Sequence, residues 1–227
     1  MMSETHAHIP RRKLKTPRAA AIAGILFALL FGTGLVLIRI SIPTDPTAEN
    51  AWLETNSRTV SLALNLIPYA GIAFLWFIGV IRDRLDDLED RLFSTVFLGS
   101  GLLFLALTFA GAAQAGGLLN SYILTPSALV ESGVFANSRA VMYQTINVYA
   151  IRMAGVFMIS LGTIWLRTGL MPRVWAFVTY SLALVLLVSI GYSLWVTLIF
   201  PSWVLAVSVY FLILDFREPG LDALDEI

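Results

Sequence analysis

The sequence predicts an all-α membrane protein, a polytopic bundle of six transmembrane helices with both termini in the cytoplasm. Its 227 residues are 58% hydrophobic and only 13% charged, whereas about a quarter of the residues in a soluble protein are charged. The charged residues are confined to short segments that separate long uncharged runs. Lysine and arginine are concentrated in alternate segments, which gives the chain a direction across the bilayer.

The uncharged runs have the lengths of membrane spans. A helix needs about 20 apolar residues to cross about 30 Å of hydrocarbon, where every backbone amide must be bonded within the helix. We expect the third span to end near Leu119, where the glycines at 116–117 and Asn120 interrupt the pattern. The fourth span is interrupted only by Arg152. The predicted spans are residues 19–41, 59–81, 93–119, 140–166, 174–191 and 198–214, between a basic tail at 1–18 and an acidic tail at 215–227.

The last two spans form a predicted hairpin. Residues 174–214 contain 41 uncharged residues, too many for one helix and about enough for two with a tight turn. Gly191, Ser193 and Pro201 favour a turn within residues 190–201. Alternatively, Pro201 begins or kinks the sixth helix.

The cationic residues predict the orientation. Three lie on the side that we expect to be external, Arg39, Arg58 and Arg139, while eleven lie on the other side. The positive-inside rule therefore places both termini in the cytoplasm. The eleven are Arg11, Arg12, Lys13, Lys15, Arg18, Arg82, Arg84, Arg91, Arg167, Arg173 and Arg217.

Two loops carry local signals. In the first external loop, Pro43 and Pro46 stop the first helix, and Asn56 or Ser57 is expected to cap the second. The cytoplasmic segment at residues 81–93, IRDRLDDLEDRLF, has apolar residues at helical spacing among charged ones. That segment is either a docking helix or a solvated extension of spans two and three.

The spans lack the groups that most intramembrane chemistry uses. The chain contains no cysteine, and the predicted spans contain no histidine, no lysine and no carboxylate at depth. These absences exclude thiolate metal sites, bis-histidine haem and Ser–His proteolysis, and they disfavour ion-coupled transport. We therefore expect no cofactor, and we expect no metal at the His-x-His pair, His6 and His8, in the basic tail.

Arg152 is the candidate site. It stands 13 residues after Arg139 and 15 before Arg167, which places it near the middle of the bilayer at about 20 Å from either end. A guanidinium facing lipid there costs at least about 2.5–3.5 kcal/mol, so it should face the bundle. The proposed hydrogen-bond partners around it are Asn65, Tyr149 and Thr145. Three interpretations stay open: an arginine held by amide and carbonyl oxygens, a site for an anionic ligand, and a snorkelling arginine in a water defect.

Three function classes follow. The first is non-enzymatic binding or passive transport of a small anionic or lipid ligand around Arg152. The second is a scaffold or complex subunit that docks through residues 81–93, with a protein partner or a second copy of the chain. The third is an intramembrane enzyme built from Ser, Thr and Tyr residues with Glu131, for which no motif is recognised. Membrane lipids are the expected partners, and no nucleic acid is expected.

Two stretches carry a resemblance to a known group. They are FLWFIGVIRDRLDDLEDRLFSTVFLGSGLLFLAL, around the 81–93 segment, and WLRTGLMPRVWAFV, between spans four and five. From span two onward the chain resembles uncharacterised bacterial, often actinobacterial, integral membrane proteins that are grouped as a domain of unknown function. That group has no assigned catalytic residues. The resemblance implies a location in the bacterial inner membrane.

Overall fold

The helices of the protein are seen in a computed structural model, which describes residues 16–42, 51–85, 91–125, 133–169, 171–188 and 194–217. In the described residues every regular element is a helix. The elements in chain order are α1 Thr16–Ser41, α2 Ala51–Leu85, α3 Arg91–Leu124, α4 Val134–Gln144, a π segment Thr145–Ala150, α5 Ile151–Thr168, α6 Arg173–Val188, a 3-10 turn Leu194–Leu198 and α7 Ile199–Arg217.

The element α4, the π segment and α5 follow one another without a break and form the fourth rod, residues 134–168. Five elements of the described chain are each long and apolar enough to cross a membrane: α1, α2, α3, the fourth rod, and α7 together with its preceding turn. Helix α6 is apolar but has only 16 residues. Many apolar side chains face outward, among them Trp76 at 67% exposure. Such a surface belongs in lipid, since soluble monomers rarely expose large apolar patches.

The helices pack mainly against their sequence neighbours. Helix α1 lies between α2 and α7, α3 lies between α2 and the fourth rod, and α6 packs against α5. The end at which α1 ends and α2 begins is called the upper end of the bundle. There, Val60, Leu118, Leu119 and Phe135 form a small apolar cluster separate from the main core.

Aromatic rings fill the main core. The ring of Phe104 lies 4.8–5.6 Å, between centroids, from those of Phe31, Phe74 and Phe200. Phe157 continues the cluster towards Phe97, with centroids 4.6 Å apart. All of these side chains are at most 2% exposed. Lipid tails are as apolar as these rings, so close packing rather than transfer from water stabilises the cluster.

Small residues bring the helices together at particular points. A β-carbon added to Gly24 on α1 would overlap the Oγ of Ser208 on α7, and one added to Gly111 on α3 would overlap Ile146 in the fourth rod. Gly116 and Gly117 have open space around them instead. Of these three glycines on α3, only Gly111 therefore serves a close helix contact.

The start of α2 differs from the sequence-based expectation. The helix begins at Ala51, so Asn56 lies inside it and does not cap its N-terminus. The side-chain nitrogen of Asn56 donates a 2.9 Å hydrogen bond to the carbonyl oxygen of Ser41. That carbonyl is in the last turn of α1, where backbone acceptors have no partner within their own helix. Asn56 thus caps the first helix from the second.

The end of α3 also differs. The helix continues through the glycines at 116–117 and past Leu119 to Leu124. Neither glycine adopts a positive φ, so both fit a regular helix. The hydroxyl of Ser121 donates a 2.9 Å hydrogen bond to the carbonyl oxygen of Gly117, within the stretch that was expected to break.

The connections before and after α6 follow ordinary helix-end chemistry. Gly169, at φ +68°, donates its backbone N–H to the carbonyl oxygen of Trp165 and so ends α5. In the last hairpin α6 ends at Val188, and Pro201 lies in the first turn of α7, where its missing N–H costs no helical bond. The expected breakers Gly191 and Ser193 lie outside the described residues.

Candidate ligand site

Arg152 is the second residue of α5 and lies close to the middle of the fourth rod. The register with α6 is antiparallel, because Gly155 approaches Ala183 and Leu187 while Gly162 approaches Thr179. Arg152 precedes Gly155 by about one turn, so it is level with the end of α6 at Val188.

The side of α5 that carries Arg152 faces α6. Thr163 stands 11 residues further along, almost in line with Arg152 on a helix, and its hydroxyl lies 2.8 Å from the Tyr180 hydroxyl of α6. The Arg152 side chain is half-buried. No hydrogen bond or ion pair joins it to any residue within the described ranges.

The π segment changes the surroundings that a uniform helix predicts for Arg152. A π turn holds one more residue than an α turn, so the residues before it are rotated by about 100° relative to those after it. Thr145, the first residue of the segment, is therefore turned away from the line through Arg152. Its hydroxyl donates a 2.8 Å hydrogen bond to the carbonyl oxygen of Val141. Tyr149 is 57% exposed on the outside of the bundle.

Asn65 lies on α2 and its side chain is exposed. Pro68 lies inside the same helix and has no N–H to bond the carbonyl oxygen of Leu64, which makes that oxygen a candidate acceptor for Arg152. The Pro68 side chain is also exposed. No contact within the described part of the chain joins Asn65 or the carbonyl of Leu64 to Arg152. Of the residues proposed around Arg152, the structure thus brings none into hydrogen-bond contact with it.

A second arginine has a defined environment. Arg39, in the last turn of α1, donates a 2.6 Å hydrogen bond from its Nη2 to the Oδ1 of Asn147 in the π segment. The Nδ2 of Asn147 donates in turn to the carbonyl oxygen of Tyr143, at 3.1 Å. Both Arg39 and Asn147 are half-buried. This pair joins residues 108 positions apart in the sequence.

Helix direction explains how these two side chains meet. The Cα–Cβ bonds of an α-helix tilt toward its N-terminus. Because α1 runs up and the fourth rod runs down, Arg39 leans down from the end of α1 and Asn147 leans up from the rod. The rule holds for every antiparallel pair, but which residues meet depends on the packing, so the sequence alone gave no signal for Arg39 with Asn147.

The upper end also contains a small cavity, and some of its lining residues are close in sequence to Arg39 and Asn147. It has a volume of about 20 Å³ and is lined by Ile42, Val60, Ala115, Leu118, Leu119, Arg139 and Met142. That volume holds about one water molecule. Its lining is apolar apart from Arg139, and Arg139 itself interacts with another group of the protein.

The segment at residues 81–93 is described only in part. Ile81 is 4% exposed and belongs to the main core, whereas Leu92 is 63% exposed. The guanidinium carbon of Arg167 lies 4.5 Å from the ring centroid of Phe93, which joins the lower ends of α5 and α3. Leu88 lies outside the described residues, as do His6, His8, Pro43, Pro46 and Glu131.

Comparison with known proteins adds no relative: none of the protein-family models, curated proteins or solved structures matches this chain. The resemblance to uncharacterised bacterial membrane proteins stays a prediction.

Proposed function

We propose that this chain is a six-span protein of the bacterial plasma membrane that binds an anionic group, a lipid phosphate or a small carboxylate or phosphate, at Arg152. It acts without enzymatic chemistry, and both of its termini are cytoplasmic. The group resembled by the sequence supports the bacterial location. The eleven cations at one end against three at the other support the orientation.

The observation that carries the proposal is the isolation of Arg152. Its side chain is half-buried midway along the fourth rod, and it has no hydrogen bond or ion pair among the described residues. A guanidinium carries five N–H donors and a permanent charge. At membrane depth such a group is stable only with a partner, because few waters are present to solvate it. An anion beside Arg152, on the side of α5 that faces α6, supplies that partner.

The core favours binding over passive transport. The rings around Phe104 pack at centroid distances of 4.8–5.6 Å in the middle of the bundle. A solute that crossed the bundle centre would have to displace these rings. A ligand bound at the side of the bundle, between α5 and α6, would not.

An enzyme is the least supported class. The hydroxyls of Ser100, Thr108 and Ser160 are buried, and each donates to a carbonyl oxygen of its own helix at 2.6–2.9 Å. Each of these hydroxyls donates its proton to a backbone carbonyl, whereas a nucleophilic hydroxyl donates to a neighbouring base.

The alternative function is a scaffold or subunit that docks through residues 81–93. The exposed side chain of Leu92 favours it, while the burial of Ile81 removes one member of the apolar stripe. Crosslinking in native membranes tests this alternative. A recovered partner, or a second copy of the chain, would support docking, and free chemical modification along the whole segment would argue against it.

The proposal is tested by native mass spectrometry of the protein purified from bacterial membranes. We expect the wild type to retain an anionic adduct whose mass identifies it as a lipid or a small anion. Arg152→Leu should lower the occupancy of the adduct, since it removes the charge and all five donors of this site. Retention of the same adduct at the same occupancy would falsify the site.

Two further variants control the experiment. Met153→Leu changes a half-buried neighbour without altering charge, so the adduct should stay. Arg152→Lys keeps the charge but offers three donors on one nitrogen instead of a planar fork. We expect this variant to fold and to hold the adduct at reduced occupancy, which separates loss of binding from loss of folding.

A further inference from the structure

We infer that Arg39 and Asn147 form a second anion site, at the upper end of the bundle, for an oxyanion that enters from the outer surface of the membrane. The ligand class is a phosphate or carboxylate group. This site is separate from Arg152, and the inference does not depend on the function proposed for that residue.

The first support is a buried hydrogen-bond donor that has no acceptor among the described residues. Arg39 makes one hydrogen bond, to Asn147, and its Nε is buried without a partner among the described residues. A buried donor without an acceptor destabilises the fold, and more so when the group is charged. An oxyanion beside the guanidinium would accept from Nε and from a terminal nitrogen together, which is the fork geometry in which arginine binds carboxylate and phosphate.

The second support is the direction of the Arg39 side chain. Arginines near helix ends usually extend towards the membrane surface. Ile42 and Arg139 line the same cavity, so the end of α1 is level with Arg139. Asn147 is eight residues further along the rod than Arg139, and Arg39 is three residues before Ile42, so Asn147 lies about 7 Å deeper than Arg39 at 1.5 Å per residue. Arg39 therefore reaches into the bundle, and Asn147 holds it there.

The third support is electrostatic. Asp83 is the one carboxylate whose side chain lies within the described set, and it is at the lower end of α2. Within that set, Tyr143 is the titratable residue that interacts electrostatically with Arg39. Among the residues whose side chains are described, Arg39 is therefore bonded to a neutral amide and has no carboxylate partner, and such a half-buried charge attracts a mobile anion.

Asn147 is oriented for this role. Its Nδ2 is engaged by the carbonyl oxygen of Tyr143 at 3.1 Å, so its Oδ1 is the atom that faces Arg39. An amide fixes the guanidinium without neutralising it. A carboxylate at the same position would pair with Arg39 directly and leave no charge for a ligand.

This contrast gives the decisive experiment. The thermal unfolding midpoint of the full chain is measured in phosphatidylcholine nanodiscs, with and without phosphatidylglycerol, and in detergent with sodium phosphate or sodium chloride at equal ionic strength. We expect the wild type to be stabilised by phosphatidylglycerol, by phosphate, or by both. The first response identifies a lipid headgroup as the ligand, and the second identifies a free anion.

Asn147→Asp should fold at least as stably as the wild type in phosphatidylcholine and lose the part of the response that comes from this site, because the new carboxylate occupies Arg39. Arg39→Gln should weaken the apparent affinity of this site for the responding probe at least about tenfold, through the loss of the guanidinium charge and of both of its contacts with the ligand. The same variants are also measured in an Arg152→Leu background, which removes the other proposed site: a response should persist there and be lost when Asn147→Asp is added.

Three results would overturn the inference. The first is a wild type whose midpoint responds to neither phosphatidylglycerol nor phosphate, as expected if Nε binds only water. The second is a response that survives Asn147→Asp in the Arg152→Leu background. The third is a response removed by Arg152→Leu but retained by Arg39→Gln. If Arg39→Gln fails to fold, Asn147→Asp alone decides, since it keeps the arginine and adds a partner.

Discussion

The indole nitrogen of Trp203 donates a 2.9 Å hydrogen bond to the Oγ1 of Thr179, and both side chains are buried. This bond joins α7 to α6, the shortest of the apolar helices. The Trp203 ring also stacks on Phe200 with centroids 6.1 Å apart. Thr179 is thus the polar link between the short helix and the aromatic core.

Removing this bond should weaken the attachment of α6. We expect Thr179→Val and Trp203→Phe each to destabilise the protein, with a coupling energy of about 0.6–1.7 kcal/mol, the range of interhelical hydrogen bonds in membranes. A double-mutant cycle of unfolding free energies in mixed micelles measures this coupling. Additive effects of the two substitutions would contradict an energetically significant bond.

The contact of Gly24 with α7 should tolerate no methyl group. A β-carbon at Gly24 would overlap the Oγ of Ser208 and come within 2.8 Å of the Phe77 ring. We expect Gly24→Ala to cost about 1–3 kcal/mol of unfolding free energy through overpacking.

A matched control lies on the same helix. Gly32 has no neighbouring atom within 4 Å of an added β-carbon, so Gly32→Ala should be neutral or stabilise the helix by up to about 1 kcal/mol. Ser208→Ala removes the overlapping oxygen and should partly restore Gly24→Ala. Equal losses from both glycine substitutions would mean that the contact with α7 is not what limits position 24.

Phe104→Ala should open the centre of the aromatic core. We expect a loss below the about 3–5 kcal/mol typical of soluble cores, because burial from lipid gains only packing. Phe177→Ala, at a position that is 62% exposed, should have little effect. Unfolding of both variants in the same lipid measures the difference, and similar stabilities would argue against the central role of the Phe104 cluster.

The absence of native cysteine makes the topology directly testable. A cysteine at exposed Thr125, at the upper end, should react in whole cells with a maleimide that does not cross membranes. A cysteine at exposed Asp83, at the lower end, should react only after the membrane is opened. The reverse pattern, or equal labelling of both positions, would show that the proposed orientation is wrong.

The positions of the membrane helices follow from the sequence because they depend on properties of each segment alone. A run of uncharged residues must bond its own backbone in lipid, so length and charge alone predict where a helix forms. The same reasoning placed the helix boundaries less well at Asn56 and Gly117. A helix end depends on which groups satisfy its last carbonyls and amides, and at Ser41 the donor comes from a different helix.

The surroundings of Arg152 could likewise be predicted only in part. The sequence singled out Arg152, because a charge at depth is visible without any knowledge of packing. It did not reveal the π segment at Thr145–Ala150, which turns Thr145 away from Arg152.

A chain of membrane helices with one isolated charge among them can be derived from the amino acids alone, since solvation by lipid acts on each segment separately. The contact of Arg39 with Asn147, 108 residues away, could be found only in the folded chain. That contact depends on the relative height, rotation and direction of two helices, and these are set by how many side chains pack together rather than by any one of them.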